Sequence, residues 1–256
     1  MDDHPVTVNP LRALLGGGPI PPIAVSFSDR SLDADIDAAQ AGGLDVAELR
    51  IDRYASSEVG HVLTQVRRFD RFATLATIRT AAEGGCWTAS EQERADLFRS
   101  VMPYVDGIDV ELTSATSMSS VIDEAVAGDH VLIISNHDFE STPSLHELES
   151  IAQQGKELGA DVVKLSAMAH SQHDLRTLAS FTLQNAEIGL IVIAMGDHGT
   201  ASRVFFPALG SRLTYAYTSD RVSGQLPFQT TFERLREFYP EFDERKAREL
   251  RTADRT

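Results

Sequence analysis

At 256 residues with 42% hydrophobic side chains, the chain is long and apolar enough to bury a sizeable core, which excludes a disordered polypeptide. Acids outnumber Lys plus Arg by 38 to 23, and the resulting formal charge of −15 argues against nonspecific binding to nucleic acid or anionic lipid. Cys86 is the single cysteine, so an internal disulfide framework is excluded, and no apolar run approaches the roughly 20 residues that span a bilayer.

In chain order, residues 1–20 stand apart: the apolar positions 6–8 and 13–15 around Pro10 predict a small N-terminal β-hairpin. Short apolar runs then predict strands at 23–27, 46–51, 72–78, 107–112, 130–135, 162–167, 189–194 and 213–216. Helical patterns fill the intervals. The segments 90–102 and 144–158 each open on Ser-x-x-Glu, a capping box, and 171–183 sets Leu175, Leu178, Ala179 and Thr182 on one face. Residues 240–256 are dense in charge and predict a solvated helix or frayed tail. Alternating β and α elements indicate a parallel sheet, and eight units in about 250 residues predict one domain over 1–256, a (β/α)8 TIM barrel. With no basic-then-apolar leader at the N-terminus, the chain reads as soluble and cytoplasmic.

Parallel strands covered by helices normally read as near-continuous apolar runs. Here several alternate instead. In Ala47-Glu48-Leu49-Arg50-Ile51-Asp52 the even positions are all charged, and period two puts Glu48, Arg50 and Asp52 on one face. Thr77 and Arg79, Asp109 and Glu111, Ser135 and His137, and Lys164 and Ser166 repeat the arrangement. One such strand is an amphipathic edge; five, polar near their C-terminal ends, predict a polar pocket at the barrel mouth, where barrel enzymes build their sites.

Only three lysines occur, Lys156, Lys164 and Lys246, and Lys164 alone sits in an apolar strand pattern. Desolvation there would lower its proton affinity and leave a neutral amine able to attack a carbonyl carbon as a Schiff-base nucleophile. A structural pairing with an inward carboxylate such as Glu111 is the plainer account, but with the other two lysines in helix or tail positions the catalytic reading is favoured. His137, at a strand end, suits proton shuttling near neutrality. His170-x-x-His173 is the nearest approach to a metal-ligand pair, and it lacks i,i+4 spacing. Arg79 precedes Glu83-Gly84-Gly85, a glycine pair suited to a mobile loop, and Arg203 follows the glycine-bearing loop 196–199. An anionic substrate entering a chain at −15 needs local positive charge, which Arg50, Arg79 and Arg203 could supply.

Together these pieces resemble the type I 3-dehydroquinate dehydratases, over residues 23–238. The carriers are Glu48-Leu49-Arg50-Ile51-Asp52, Thr77-Ile78-Arg79-Thr80 with Glu83-Gly84-Gly85, Asp109-Val110-Glu111-Leu112, Ser135-Asn136-His137-Asp138-Phe139, Val163-Lys164-Leu165, Gly199 through Arg203, and Gly224-Gln225. The resemblance implies no cofactor, no metal, 3-dehydroquinate as substrate and a homodimer. It makes Lys164 the imine-forming nucleophile, His137 the general acid and base, and Glu83 the group orienting the imidazole. Glu48, Arg50, Arg79, Arg203 and Gln225 match substrate-binding positions, with Ser26 and Arg221 as further contacts. One loop departs from the family: where Ser-Ala-Pro-Gly-Gln is usual, the chain reads Arg221-Val222-Ser223-Gly224-Gln225. Two other readings are a class I aldolase, which also uses a strand-borne lysine, and a catalytically silent barrel that binds a small molecule.

Overall fold

A computed structural model describes residues 8–18, 20–218 and 224–246. Nine parallel strands lie in the order β7-β6-β5-β4-β3-β2-β1-β8-β9. They are β1 Ile23–Phe27, β2 Val46–Arg50, β3 Ala73–Thr77, β4 Gly107–Glu111, β5 Val131–Asp138, β6 Val162–Met168, β7 Leu190–Met195, β8 Thr214–Tyr217 and β9 Leu226–Pro227. The first eight curl into a TIM barrel, and β9 extends the sheet beyond β8. Closure between β7 and β8 rests on one bridge, Leu190 to Ser211, with Arg212 N donating to Leu190 O at 2.7 Å, in place of a full ladder.

Up to residue 238 the α-helices are α1 Pro10–Leu15, α2 Asp33–Ala41, α3 Val59–Val66, α4 Glu91–Val101, α5 Ser119–Ala127, α6 Leu145–Glu157, α7 Gln172–Gln184, α8 Ser202–Phe205 and α9 Phe228–Phe238, with short 3-10 turns between elements. Both Ser-x-x-Glu signals form reciprocal capping boxes, Ser90 with Glu93 and Ser144 with Glu147. The outward positions Phe27, Leu49, Ile108 and Val163 pack with Phe98 and Phe181 of the helices in one core layer. A second layer fills the lower barrel: Ala24, Val46, Leu75, Val131, Ile133, Val162 and Ile191. Two residues further along the strands the inward positions turn polar, at Ser26, Glu48, Thr77, Ser135 and Lys164. The barrel is therefore apolar at its floor and charged toward its C-terminal mouth.

Two expectations are corrected. The N-terminal β-hairpin is absent among the described residues; Pro10–Leu15 is a helix instead, with Asn9 Oδ1 accepting from Arg12 N at 3.1 Å. An Asn cap followed by Pro in the first turn starts a helix, and the apolar pair Leu11 and Leu15 then inserts into the floor layer. Of the segment 240–256, residues 247–256 lie outside the described residues; 242–246 are helical, as one of the two readings has it, but not simply solvated. Phe242 is wholly buried against Phe232, and Arg245 Nη1 donates to Ile20 O at 2.7 Å, so residues 240–246 dock on the barrel. Among the described residues no helix is long and apolar enough to cross a membrane.

Candidate active site

A cleft at the C-terminal end of the strands is lined by Ser26, Glu48, Arg50, Arg79, Glu83, His137, Lys164, Arg203 and Gln225. Strand period two brings Ser26, Glu48, Arg50, His137 and Lys164 there, with Arg79 two residues past the end of β3. Glu83 from the turn after β3, Arg203 from α8 and Gln225 just before β9 join them, so nine of the ten residues singled out from sequence meet in one cleft. The tenth, Arg221, lies outside the described residues, as does Ser223.

Lys164 rises from the middle of β6, 5% exposed. Its Nζ donates to Asp109 Oδ2 at 3.1 Å, Glu48 Oε1 at 3.3 Å and Tyr215 Oη at 3.1 Å. The sequence expectation of a neutral amine is corrected here. Burial does push the proton off, but the carboxylates of Asp109 and Glu48 outweigh it, and Lys164 binds its proton more tightly than an ordinary lysine. Asp109 in turn is held well below the usual carboxylate range despite its burial, by Arg79 and Lys164. Glu48 is lowered for the same reason, with Lys164 and Arg50 overcoming desolvation, and it also accepts from Ser26 Oγ and from Thr77 Oγ1 at 3.1 Å. The plainer pairing with Glu111 is not the one formed. Glu111 instead accepts from Arg94 Nη1 at 2.7 Å and from Thr80 N at 2.8 Å.

His137, on β5, stacks on Phe139, and its Nδ1 lies 3.0 Å from Glu83 Oε2. That same oxygen accepts the backbone N–H of His137 at 3.1 Å, and Thr113 Oγ1 donates to the other carboxylate oxygen at 2.6 Å. A carboxylate only accepts, so the hydrogen sits on Nδ1 and Nε2 keeps its lone pair. Burial and the cations Arg79 and Lys164 hold the imidazole neutral, far below its ordinary proton affinity. Burial also raises Glu83. The turn that presents Glu83 is fixed by geometry: Gly84 has φ +74°, and a side chain at Gly85 would strike the Arg79 carbonyl at 2.0 Å. The glycine pair therefore shapes a tight turn, where the sequence suggested a mobile loop.

The three arginines divide. Arg50 makes a bidentate pair with Asp52 at 2.9 and 2.8 Å. Arg79 lies against Asp109 and Ser135, both at 2.7 Å. Their charges are largely spent within the protein. Arg203 on α8 has no carboxylate partner among the described residues. Its Nε donates to Gly224 O at 3.1 Å, Nη1 is buried without a hydrogen-bond partner among them, and burial pushes the guanidinium down to about 10. A buried arginine with an unmet donor is a ready anchor for a carboxylate. No cluster of three or more His, Cys, Asp and Glu side chains that could hold a metal occurs among the described residues, and His170 Nε2 pairs with Glu140 O at 2.8 Å.

The family model described as type I 3-dehydroquinase matches residues 23–246. The chain belongs to this family. The 3-dehydroquinate dehydratase of Methanococcoides burtonii is 33% identical over 211 residues, covering 80% of this chain and 89% of that protein. That of Thermodesulfovibrio yellowstonii is 32% identical over 198 residues, covering 77% and 86%. The crystal structure of the Aquifex aeolicus enzyme superposes with a TM-score of 0.78 at 28% identity, covering 86% of this chain and 99% of that one. A type I enzyme from Clostridium difficile, solved with covalently modified comenic acid, gives a TM-score of 0.76 at 26% identity, covering 88% and 94%. Membership leaves the aldolase and silent-barrel readings without support.

Sequence reasoning passed over two contributors. Asp109 was placed on the inward face without a partner, and Tyr215 was hidden inside a run that reads as plain strand. The signal for Tyr215 was its parity: it shares the inward face with Leu213 two residues earlier, in the floor layer.

Proposed function

We propose that this chain converts 3-dehydroquinate to 3-dehydroshikimate by loss of water, through an imine on Lys164. The observation carrying the reading is that one cleft holds an amine, a neutral imidazole backed by a carboxylate, and a buried guanidinium with an unmet donor. Family membership, and relatives named 3-dehydroquinate dehydratase at about one-third identity, support the substrate.

The chemistry follows from those charges. Lys164 rests as an ammonium between two carboxylates, so it must surrender a proton before attack, and neutral His137 is the base in the cleft able to take it. The amine adds to the C3 ketone; the carbinolamine loses its hydroxyl as water, the imidazolium supplying the proton, and an iminium remains. That cation acidifies the C2 hydrogen, which His137 removes to give an enamine. The enamine expels the C1 hydroxyl with the proton His137 has just gained, and water then hydrolyses the conjugated iminium to free Lys164. One water is released and one consumed at the imine, so the net change is a single dehydration. Arg203 would hold the substrate carboxylate, while Ser26, Glu48, Arg50, Arg79, Gln225 and Arg221 would meet the hydroxyls and rim. The same reading has the chain working in the cytoplasm as a homodimer, for which sedimentation velocity should give the mass of two chains.

Borohydride added during turnover should leave reduced ligand mass on the peptide containing Lys164, and Lys164→Ala should abolish the absorbance of the conjugated enone product while retaining substrate binding. Turnover with no adduct on Lys164, or an active Lys164→Ala variant, overturns the covalent route.

A further inference from the structure

An ammonium carries three N–H donors. Those of Lys164 meet three acceptors from three different strands: Glu48 of β2, Asp109 of β4 and Tyr215 of β8. Nζ also lies 4.5 Å from the centroid of the Tyr215 ring, and the phenol donates onward to Glu48 Oε1 at 3.5 Å. Each carboxylate is fixed by its own network, Asp109 by Arg79 and Ser135, Glu48 by Ser26 and Thr77. Tyr215 is 3% exposed and comes from β8, on the other side of β7 from the strand of Lys164.

We propose that Tyr215 is a positioning residue for Lys164, its hydroxyl and ring together fixing the depth and rotation of Nζ from which the substrate ketone is attacked. The inference rests on the reading of Lys164 as the nucleophile. A lysine stem has four flexible carbons, and two carboxylates alone leave one N–H of the buried ammonium without a protein partner. A third carboxylate would satisfy it but bind the proton harder still. The phenol completes the set without a further charge, because burial keeps its own proton on. Displacement of a reacting atom by about 1 Å can cost 10²-fold, so the third contact bears directly on rate.

Tyr215→Phe keeps the ring and removes the hydroxyl. With only three lysines in the chain, ¹⁵Nζ-lysine spectra contain three signals, and Lys164 is assigned by its loss in Lys164→Ala. In Tyr215→Phe the ammonium protons of Lys164 should exchange with water about tenfold faster, the effect of one lost hydrogen bond to a charge. The signals of Lys156 and Lys246 should stay in place, reporting an intact fold. With 3-dehydroquinate, kcat should fall about tenfold or more while KM changes little. An unchanged exchange rate or an unchanged kcat overturns the assignment. Failure of the underlying reading looks different: the unmodified enzyme itself would then yield no borohydride adduct on Lys164, and the positioning role would fall with it.

Discussion

His137 must be uncharged to take a proton from Lys164 or from carbon, and its surroundings arrange this. Burial, Arg79 and Lys164 all disfavour the imidazolium, while Glu83 holds the Nδ1 hydrogen and leaves Nε2 free. The lysine proton passes within the cleft, so the reactive free enzyme carries one proton on the pair, and acid adds a second. A base with depressed proton affinity is charged only below its ordinary range. The acid limb of kcat/KM should therefore lie below about pH 6.5. A midpoint at or above 6.5 contradicts the neutral assignment. His137→Ala should still allow some adduct on Lys164 but slow product release by ~10²-fold, the scale of lost acid–base catalysis; near-normal release removes the histidine from that role. What the sequence could say about these residues follows from the same physics. Scarcity singled out Lys164, and strand parity put it on one face with Glu48 and Asp109. Parity names a face and not a partner, so the charge state of the amine, set by which carboxylates come within about 3 Å, was out of reach.

At the scale of elements, strand positions were legible because inward and outward layers impose a strict period, and the two capping boxes were legible because they are local. The N-terminal segment was not. Pro10 beside short apolar runs suits a hairpin turn as well as a helix start, and what decides is tertiary: the barrel floor offers an apolar socket that one face of a short helix fills. Leu11 is fully buried there with Leu75, Val131 and Val162, and Asn9 Nδ2 ties the segment to Asp106 O at 2.9 Å. Leu11→Ala should destabilise the fold by about 2–4 kcal/mol, the loss of a buried leucine with partial collapse of the hole. Urea unfolding measures it. Because the floor lies at the opposite end from the cleft, kcat at a temperature well below unfolding should be unaltered. A loss under about 1 kcal/mol would show that α1 does not seal the barrel. A loss of kcat would show that floor and mouth are coupled.

For the molecule as a whole the governing quantity is the surplus of acids, 38 − 23 = 15. The ion pairs Arg79–Asp109, Lys164–Asp109 and Arg94–Glu111 are buried and little affected by added salt. The exposed ones, such as Arg99–Glu124 and Arg234–Glu237, sit in high dielectric and contribute little, so screening them costs little. The unmatched acids repel one another in the compact chain more than in the expanded one, and that repulsion is what salt removes. The Debye length falls from about 10 Å at 0.1 M to about 3 Å at 1 M. Relief of repulsion among unmatched charges should outweigh the weakening of surface pairs, so the melting temperature should rise steadily as KCl is raised from dilute buffer toward 1 M. Chloride is chosen because sulfate would stabilise almost any fold by exclusion from its surface. A melting temperature that stays level or drops over that range would mean that the surface pairs matter more than the surplus, and that the acidic composition brings this protein no tolerance of salt.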